Sequence, residues 1–493
     1  MKVPLACLII TFSLAFFFPA TQVFPFSPSD IDPVRGRSSQ RDDHTNDTQN
    51  TNSKEHPSKD VSSDAKSNVS NGVDTLIRKY ELEKSNIAIK VITLPSNKTV
   101  YERNADAQMV IASNTKLFST AAALCKLGPD FKFTTSISYD GAVVSNTLQG
   151  NLAVWSNGDP NISGRFYNNN PTAVFEDWAD KLTQSGIKEV KGNLVIDQSA
   201  FDRECIPPAW PQDQLSYWYC APISAVSFND NCVDITVFSD PKTGRMRYVI
   251  SPATKYVNVS FKVKLDKKLS ANQLKFSRVM GTNRINISGK ASPKELPIKE
   301  SITVENPGLF FGTVLRETFA RKGIAISGEI MVIDEPYKPS GKPVKITETS
   351  TGLVQTMNVV NKRSQNFYAE QILKAMVHHY QGKGNLAEGL KIIREFLAQE
   401  LGFAQNSYII SDASGLARQN RFTVNQIIDL LKYMHGHKHF TIFRDSLNYE
   451  RWNFSNMESV WTKTGYIKNA LALSGYISQN GNDYAFSFII NNF

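Results

Sequence analysis

The stretch ASNTKLFSTAAALCKLG, residues 112–128, decides how the fold is interpreted, because it places a serine and a lysine where a helix begins. The residues after Lys116 are mostly apolar and form helices readily, so they predict a helix that packs into a core. Ser113 and Lys116 are three positions apart and therefore share one helix face. A serine hydroxyl becomes a useful nucleophile when a base takes its proton, and a desolvated, neutral lysine is such a base.

The Ser-x-x-Lys pattern alone is weak evidence for catalysis. It also starts at Ser63 in a polar segment, at Ser185 where a predicted helix ends, and at Ser239 beside a polar turn. Only Ser113 opens an apolar helix. Taken alone, the pattern leaves an exposed serine at a helix start as the alternative.

Two further motifs strengthen the interpretation. Ser364-Gln365-Asn366 lies in VVNKRSQNFYAEQILKAM, where a loop enters a predicted helix. Lys463-Thr464-Gly465 lies on a predicted strand, and its glycine allows another backbone to approach closely. Each motif is common, but the ordered set on the expected kinds of element is not.

This ordered set resembles the active-site motifs of penicillin-recognising serine acyltransferases. Within them, the chain is similar to the D-alanyl-D-alanine carboxypeptidase/endopeptidase family of low-molecular-mass (class C) penicillin-binding proteins, which separates its first two motifs by a large insertion. The resemblance covers residues 73–493. Four more stretches carry it: NGDPNISG (157–164), WPQDQLSYWYCAPISAVSFNDN (210–231), VENPGLFFGTVLRE (304–317) and SDASGLARQNRFT (411–423).

The resemblance implies the catalytic roles. Ser113 attacks the carbonyl of the penultimate D-Ala and forms an acyl-enzyme, while Lys116 accepts its proton. Ser364 and Asn366 extend the proton relay and hold the substrate amide. β-Lactams imitate the D-Ala-D-Ala end and become covalent inhibitors.

The resemblance also implies the substrate-binding residues. Lys463 and Thr464 hold the terminal carboxylate, Gly465 follows them, and the backbone N–H groups of Ser113 and Tyr466 form an oxyanion hole. The family usually has a small hydroxyl residue where this chain has Tyr466. We therefore expect an altered substrate preference, with the backbone donor retained.

The predicted function is a serine DD-peptidase that acts on peptidoglycan stem peptides, as a carboxypeptidase and on cross-links as an endopeptidase. A β-lactamase-like hydrolase and a catalytically weak wall-binding scaffold are the alternatives. No cofactor, metal or nucleic-acid motif is recognised. The net charge of +9, which has no dense basic block in the sequence, suits an anionic envelope, but a solvated surface explains it equally well.

The predicted fold is α+β: a serine β-lactamase/DD-peptidase-like catalytic domain, an antiparallel sheet with helices, interrupted by a large β-rich insertion. Residues 1–26 resemble a signal peptide, which predicts export to the periplasm or cell envelope and membrane contact only through this leader if it is uncleaved. The polar residues 27–72 predict a disordered tether. The catalytic domain is assigned to 73–133 and 339–493, and the insertion to 134–338.

The sequence also predicts local structure in the second part of the catalytic domain. Asn385 and Glu388 have capping-box spacing at the start of a predicted helix that ends at Gly402, and Thr423 is the predicted N-cap of the next helix. Three strands joined by short turns are predicted after it.

The cysteines, Glu370 and the last strand give rise to further expectations. Cys205, Cys220 and Cys232 crowd one segment, where a local disulfide would fit an oxidising compartment, but the sequence does not choose a pairing. Glu370, six residues after Ser364, has two interpretations, the edge of the site or a solvated helix face, and the second is expected. The family usually continues into a helix after the last strand, so we expect either that the N-terminal helix and a neighbour cover that sheet face or that the protein is less stable.

Overall fold

The computed structural model describes residues 63–450, 457–479 and 481–493 of the chain. The predicted signal peptide and the predicted tether up to residue 62 lie outside these residues. The helices are α1 Ser63–Lys79, α2 Thr115–Leu127, α3 Ala173–Gln184, α4 Pro307–Arg321, α5 Leu353–Lys362, α6 Asn366–Gln381, α7 Leu386–Leu401, α8 Val424–Gly436 and α9 Phe440–Asp445.

The strands form five sheets. Their bounds are β1 Asn86–Leu94, β2 Thr99–Arg103, β3 Lys132–Tyr139, β4 Ala142–Val144, β5 Thr147–Gln149, β6 Leu152–Ser156, β7 Glu189–Val190, β8 Leu194–Asp197, β9 Cys232–Ser239, β10 Met246–Ser251, β11 Asn258–Leu265, β12 Gln273–Arg278, β13 Arg284–Ala291, β14 Ile298–Thr303, β15 Ala325–Ile326, β16 Ile330–Ile333, β17 Val344–Gly352, β18 Asn448–Glu450, β19 Met457–Ile467, β20 Ala470–Gln479 and β21 Asn482–Asn491.

The catalytic domain is built on a six-stranded antiparallel sheet in the order β18-β19-β20-β21-β1-β2. Strand β1 pairs with β21 along its whole length, from Asn86 opposite Asn491 to Leu94 opposite Asp483. Residues before and after the insertion therefore share one sheet. This arrangement confirms the predicted α+β fold.

Both faces of this sheet are covered. One face packs against a core to which α2, α5, α6, α7 and α8 contribute. On the other face, Val73, Leu76 and Ile77 of α1 are buried against β-strand residues that include Phe486 and Ile490. Burying one such side chain contributes about 1.5–3 kcal/mol. Helix α1 therefore covers the outer face of the sheet, as expected for the N-terminal helix.

Helix α1 also corrects the predicted tether. The low apolar content of residues 27–72 predicts disorder up to residue 72, yet the helix starts at Ser63. Besides the apolar contacts of Val73, Leu76 and Ile77, Asp74 forms an ion pair of 2.8 Å with Arg103 on β2. Packing of the last turns therefore supports a helix whose first turns are polar.

The inserted domain has its own core, in which the aromatic rings of Phe175, Trp178 and Phe311 contact one another. Its largest sheet has the order β16-β8-β6-β3-β17. Strand β17 pairs with β3 from Val344 opposite Tyr139 to Gly352 opposite Lys132. By strand pairing, the inserted sheet spans residues 132–352, whereas the sequence places the boundaries at 134 and 338.

The predicted helix ends in the second part of the catalytic domain are confirmed. Asn385 caps α7, since its side chain accepts a hydrogen bond of 2.8 Å from the Glu388 N–H, and Gly402 ends the helix in a left-handed conformation. Thr423 and Gln426 form a capping box at α8. These caps fix where the helices beside the sheet begin and end.

The cysteines of the described residues are free thiols. The local disulfide considered for Cys205, Cys220 and Cys232 is therefore not formed in this structure. Burial raises the pKa of Cys220 to about 12 and holds that of Cys232 well above its ordinary value. These thiols are protonated at neutral pH and act as small apolar side chains.

Candidate active site

The predicted nucleophile lies in a tight turn that leads into α2. Residues 112–114 form a 3₁₀ turn, and Ala112 has a left-handed backbone with φ of +46°. The Thr115 hydroxyl donates to the Ala112 carbonyl at 2.9 Å, and Asn114 donates to Ser474 on β20 at 2.7 Å. These bonds hold the turn against the sheet and leave Ser113 partly exposed.

Lys116 is completely buried beneath Ser113. Its Nζ lies 3.1 Å from Ser113 Oγ, 2.6 Å from Asn366 Oδ1 and 2.6 Å from the Ser414 carbonyl oxygen. Burial lowers the pKa of this lysine to about 7, although nearby carboxylates partly oppose the effect. A lysine with such a pKa is neutral in a large fraction of molecules near pH 7 and matches the requirement for a general base.

The second motif sits where a strained loop enters α6. Ser364 has a left-handed backbone with φ of +55°, and its hydroxyl accepts a hydrogen bond of 2.9 Å from Lys463 Nζ. Asn366 is buried and accepts from Lys116. The motif therefore bridges the two lysines, with one residue bonded to each.

The third motif lies on β19, beside the nucleophile. Lys463 is buried, and its Nζ also donates to the Thr464 carbonyl oxygen at 2.8 Å. Burial, and secondarily the charge of Lys116, holds the pKa of Lys463 well below its ordinary value. The two lysines share one buried region, so protonation of one disfavours protonation of the other.

The residues after Lys463 alternate between the two sides of the strand. Thr464 and Tyr466 face solvent, and the Tyr466 side chain is 63% exposed. Gly465 points inward, where a Cβ atom would lie 2.8 Å from the Ile111 carbonyl oxygen and 3.0 Å from the Ser113 nitrogen. The absence of a side chain thus lets β19 approach the turn that carries Ser113, as the sequence predicts.

A buried carboxyl group that the sequence did not predict holds the loop beneath Lys116. The expectation that Glu370 lies on a solvated helix face is wrong, because this residue on α6 is fully buried. Its Oε1 accepts hydrogen bonds from the backbone N–H groups of Ala413 and Ser414 at 3.0 and 2.9 Å. Burial, helped by the charge of Asp412, raises the pKa of Glu370 to about 8.

Asp412 is the second missed residue and organises the same loop. Its buried carboxylate accepts hydrogen bonds from five donors: the Trp210 indole, the Ser414 hydroxyl, the Asn420 amide and the backbone N–H groups of Gly415 and Ala417. The signal in the sequence was an aspartate followed closely by Ser414-Gly415, a pattern typical of a turn. The contact of this loop with α2, between the Ser414 carbonyl oxygen and Lys116, was not predictable from that pattern.

The inserted domain reaches the site directly. Asn366 donates to the Tyr219 carbonyl oxygen at 2.9 Å, and Gln371 donates to the Ser224 carbonyl oxygen at 2.9 Å. The Trp210 indole bonds to Asp412 at 2.9 Å. The insertion therefore supports both the second motif and the loop below the lysine.

The structure brings the three motifs together at this site, with Tyr466 directly after the third. Within the described ranges, no group of three or more His, Cys, Asp or Glu is placed to hold a metal ion. In the same ranges, no helix is both long and apolar enough to cross a membrane. The arrangement offers a serine hydroxyl, a buried lysine next to it and a second buried lysine.

The chain is similar in sequence to known proteins. The family model described as the D-Ala-D-Ala carboxypeptidase 3 (S13) family matches residues 69–493. A D-alanyl-D-alanine carboxypeptidase of Actinomadura sp. is 26% identical, over 85% of this chain and 80% of that protein. The corresponding DacB enzyme of Haemophilus influenzae is 24% identical, over 83% and 86%.

The fold is also similar to a solved structure. The crystal structure of penicillin-binding protein 4 (DacB) from Haemophilus influenzae has a TM-score of 0.70 at 21% identity. The similarity covers 83% of this chain and 91% of that one. This similarity supports the fold assigned above.

Proposed function

This chain belongs to the D-Ala-D-Ala carboxypeptidase 3 (S13) family, and we propose that Ser113 is the nucleophile of its serine-type peptidase activity. The observation that carries the proposal is the 3.1 Å contact between Ser113 Oγ and the buried Nζ of Lys116. Burial keeps this lysine neutral often enough to accept the hydroxyl proton near pH 7. A serine without such a neighbour would be a poor nucleophile.

In the acylation step, Ser113 Oγ attacks the carbonyl carbon of the penultimate D-Ala while its proton passes to Lys116. The backbone N–H groups of Ser113 and Tyr466 stabilise the developing oxyanion, a contribution of about 3–4 kcal/mol for a single donor. The C–N bond then breaks, and the leaving amine receives the proton that Lys116 took from Ser113, relayed by the Ser364 hydroxyl, which Lys463 holds through the 2.9 Å hydrogen bond. Lys116 is then neutral again. The products are an acyl-enzyme and free D-Ala.

In the second step, water attacks the ester carbonyl and Lys116 accepts its proton, so that Ser113 and the shortened peptide are released. Asn366 orients Lys116 through the 2.6 Å bond described above. A bound β-lactam would follow the first step, but its leaving group would remain attached and hinder the second.

Lys463, Thr464 and Gly465 form the subsite for the terminal carboxylate. The burial that disfavours charge on Lys463 is offset once an anionic carboxylate binds next to it, because the opposite charge favours the protonated form. Binding of the carboxylate therefore recruits a proton to this lysine. This coupling selects substrates that end in a free carboxylate.

We extend the proposal to cross-links, in which a second stem peptide replaces the terminal D-Ala. The exposure of Thr464 and Tyr466 supports an open side of the site that accepts such a larger leaving group. The relatives named above are D-alanyl-D-alanine carboxypeptidases, which supports an enzyme outside the cytoplasm. A location in the periplasm or cell envelope is part of this proposal.

Covalent labelling with a fluorescent penicillin tests the proposal. Ser185 belongs to another Ser-x-x-Lys pattern, at the end of α3 and outside the site, and serves as the control. The native protein and Ser185→Ala should therefore be labelled equally. The Ser113→Ala variant should not be labelled. Absence of label on folded native protein would favour the wall-binding scaffold, and release of the label within seconds would favour a β-lactamase-like hydrolase.

A further inference from the structure

The positive charge of the chain is concentrated in one small sheet of the inserted domain. Residues 258–291, which form the sheet β11-β13-β12, contain eight Lys and Arg and a single Asp, a net charge of +7. The whole chain carries +9. The remainder is therefore close to neutral, although the sequence has no dense basic run.

Strand register brings four of these lysines together. Lys264 on β11 lies opposite Lys290 on β13, and Lys262 lies opposite Ser288. Ser288 in turn lies opposite Lys275 on β12. These four lysines occupy two adjacent rows on one side of the sheet, which we call the lysine face. The alternate residues are apolar and contact the core of the inserted domain: Val259, Phe261, Val263, Leu274, Phe276, Ile285 and Ile287.

The charges of the lysine face are exposed and barely neutralised. All four lysines are exposed to solvent. The only acidic residue of the sheet segment, Asp266, pairs with Lys290 at 3.1 Å, and an exposed pair of this kind is weak. Lys267 and Lys268 follow β11 and are exposed as well. The face therefore presents an excess of cations with no matching acidic surface in its own sheet.

We propose that the lysine face binds a linear polyanion with repeated phosphodiester groups. Neighbouring strands lie about 4.8 Å apart and alternate residues of one strand about 6.6 Å apart, so the ammonium groups form a regular array. Lysine contacts phosphate as a flexible point charge and needs no fixed orientation. An extended polymer can reach several of these lysines at once, whereas a small anion reaches one or two.

The composition of the face favours such a polymer over other anionic partners. Besides the cations, its outward positions on the three strands are Asn, Ser and Gln. Aromatic side chains, on which the bases of single-stranded nucleic acid stack, do not occur among these positions. Large apolar side chains that insert into a membrane surface do not occur among them either.

The test measures binding of fluorescently labelled poly(glycerol phosphate) by anisotropy over a series of salt concentrations. One variant replaces the lysine face by glutamine at Lys262, Lys264, Lys275 and Lys290. A control variant changes the net charge equally, through replacement by glutamine of the exposed lysines Lys84, Lys338, Lys342 and Lys432. Circular dichroism spectra and thermal unfolding midpoints equal to those of the native protein show that both variants are folded.

We expect the lysine-face variant to bind at least tenfold more weakly. The slope of log affinity against log salt should fall in magnitude by about 3, since each phosphate contact of a flexible chain contributes about 0.7. The control variant should keep most of the native affinity and slope. Equal losses in both variants would overturn the proposal, as would native binding to vesicles of anionic phospholipid without binding to the polymer. Polymer binding is measured independently of labelling, so failure of the proposed catalytic function would leave this result interpretable.

Discussion

Acylation by a penicillin should titrate with Lys116. A base with a pKa of about 7 is neutral in about half of the molecules at pH 7, about a tenth at pH 6 and about a hundredth at pH 5. The neutral form accepts the Ser113 proton, so the second-order rate constant should rise with pH and level off above about pH 8. We expect a change of about 50-fold between pH 5 and pH 7, measured from initial labelling rates with a fluorescent penicillin.

The carboxyl groups around Lys116 provide the internal check. Asp412 raises the pKa of Lys116, so Asp412→Asn should move the midpoint of the profile to lower pH. Glu370 raises the pKa of Lys116 only when it is ionised, and its own pKa of about 8 keeps it mostly protonated at pH 6. Glu370→Gln should therefore move the midpoint much less than Asp412→Asn does. A native rate that changes less than about threefold between pH 5 and pH 7 would refute the assignment of Lys116 as the base. A midpoint that moves upward in Asp412→Asn would refute the electrostatic reasoning.

Three further predictions follow from contacts described above. Gly465→Ala should slow penicillin labelling about 100-fold, because a displacement of about 1 Å in the reacting groups has that effect, while Gly341→Ala, in open space, should label normally. Lys463→Gln should lower kcat/KM for a D-Ala-D-Ala peptide about 100-fold, corresponding to about 2.7 kcal/mol, but should lower it much less for the peptide amide; equal losses on both would contradict a carboxylate subsite. Leu76→Ala should reduce the free energy of unfolding in urea by about 2–4 kcal/mol, and Arg78→Ala by less than about 0.5 kcal/mol; similar small losses would contradict packing of α1 on the sheet.

Local signals predicted much of the fold. The caps at Asn385 and Thr423 and the final three strands depend on residues close in sequence, and each is where the sequence places it. The three motifs were recognisable for a similar reason, since each is a short run on one element. Their meeting at one site followed from the family resemblance, because Ser113 and Ser364 are far apart in the chain.

Long-range contacts account for the misjudged features. Glu370 has polar neighbours in the sequence, and its burial depends on a loop more than forty residues away. The start of α1 was misplaced because its first turns have a disordered composition, whereas the packing of Val73, Leu76 and Ile77 involves strands that are distant in sequence. The insertion boundary was misplaced because the pairing of β17 with β3 crosses the whole inserted domain.

The pairing of β1 with β21 sets the order in which this protein acquires its fold during synthesis. Strand β1 and the nucleophile emerge from the ribosome before the insertion, but β21, which flanks β1 in the sheet, emerges only after it. Until then one edge of the β1–β2 hairpin has unpaired backbone groups, and such edges promote aggregation. A nascent chain of this kind would depend on a chaperone or on delayed collapse until β21 has been synthesised.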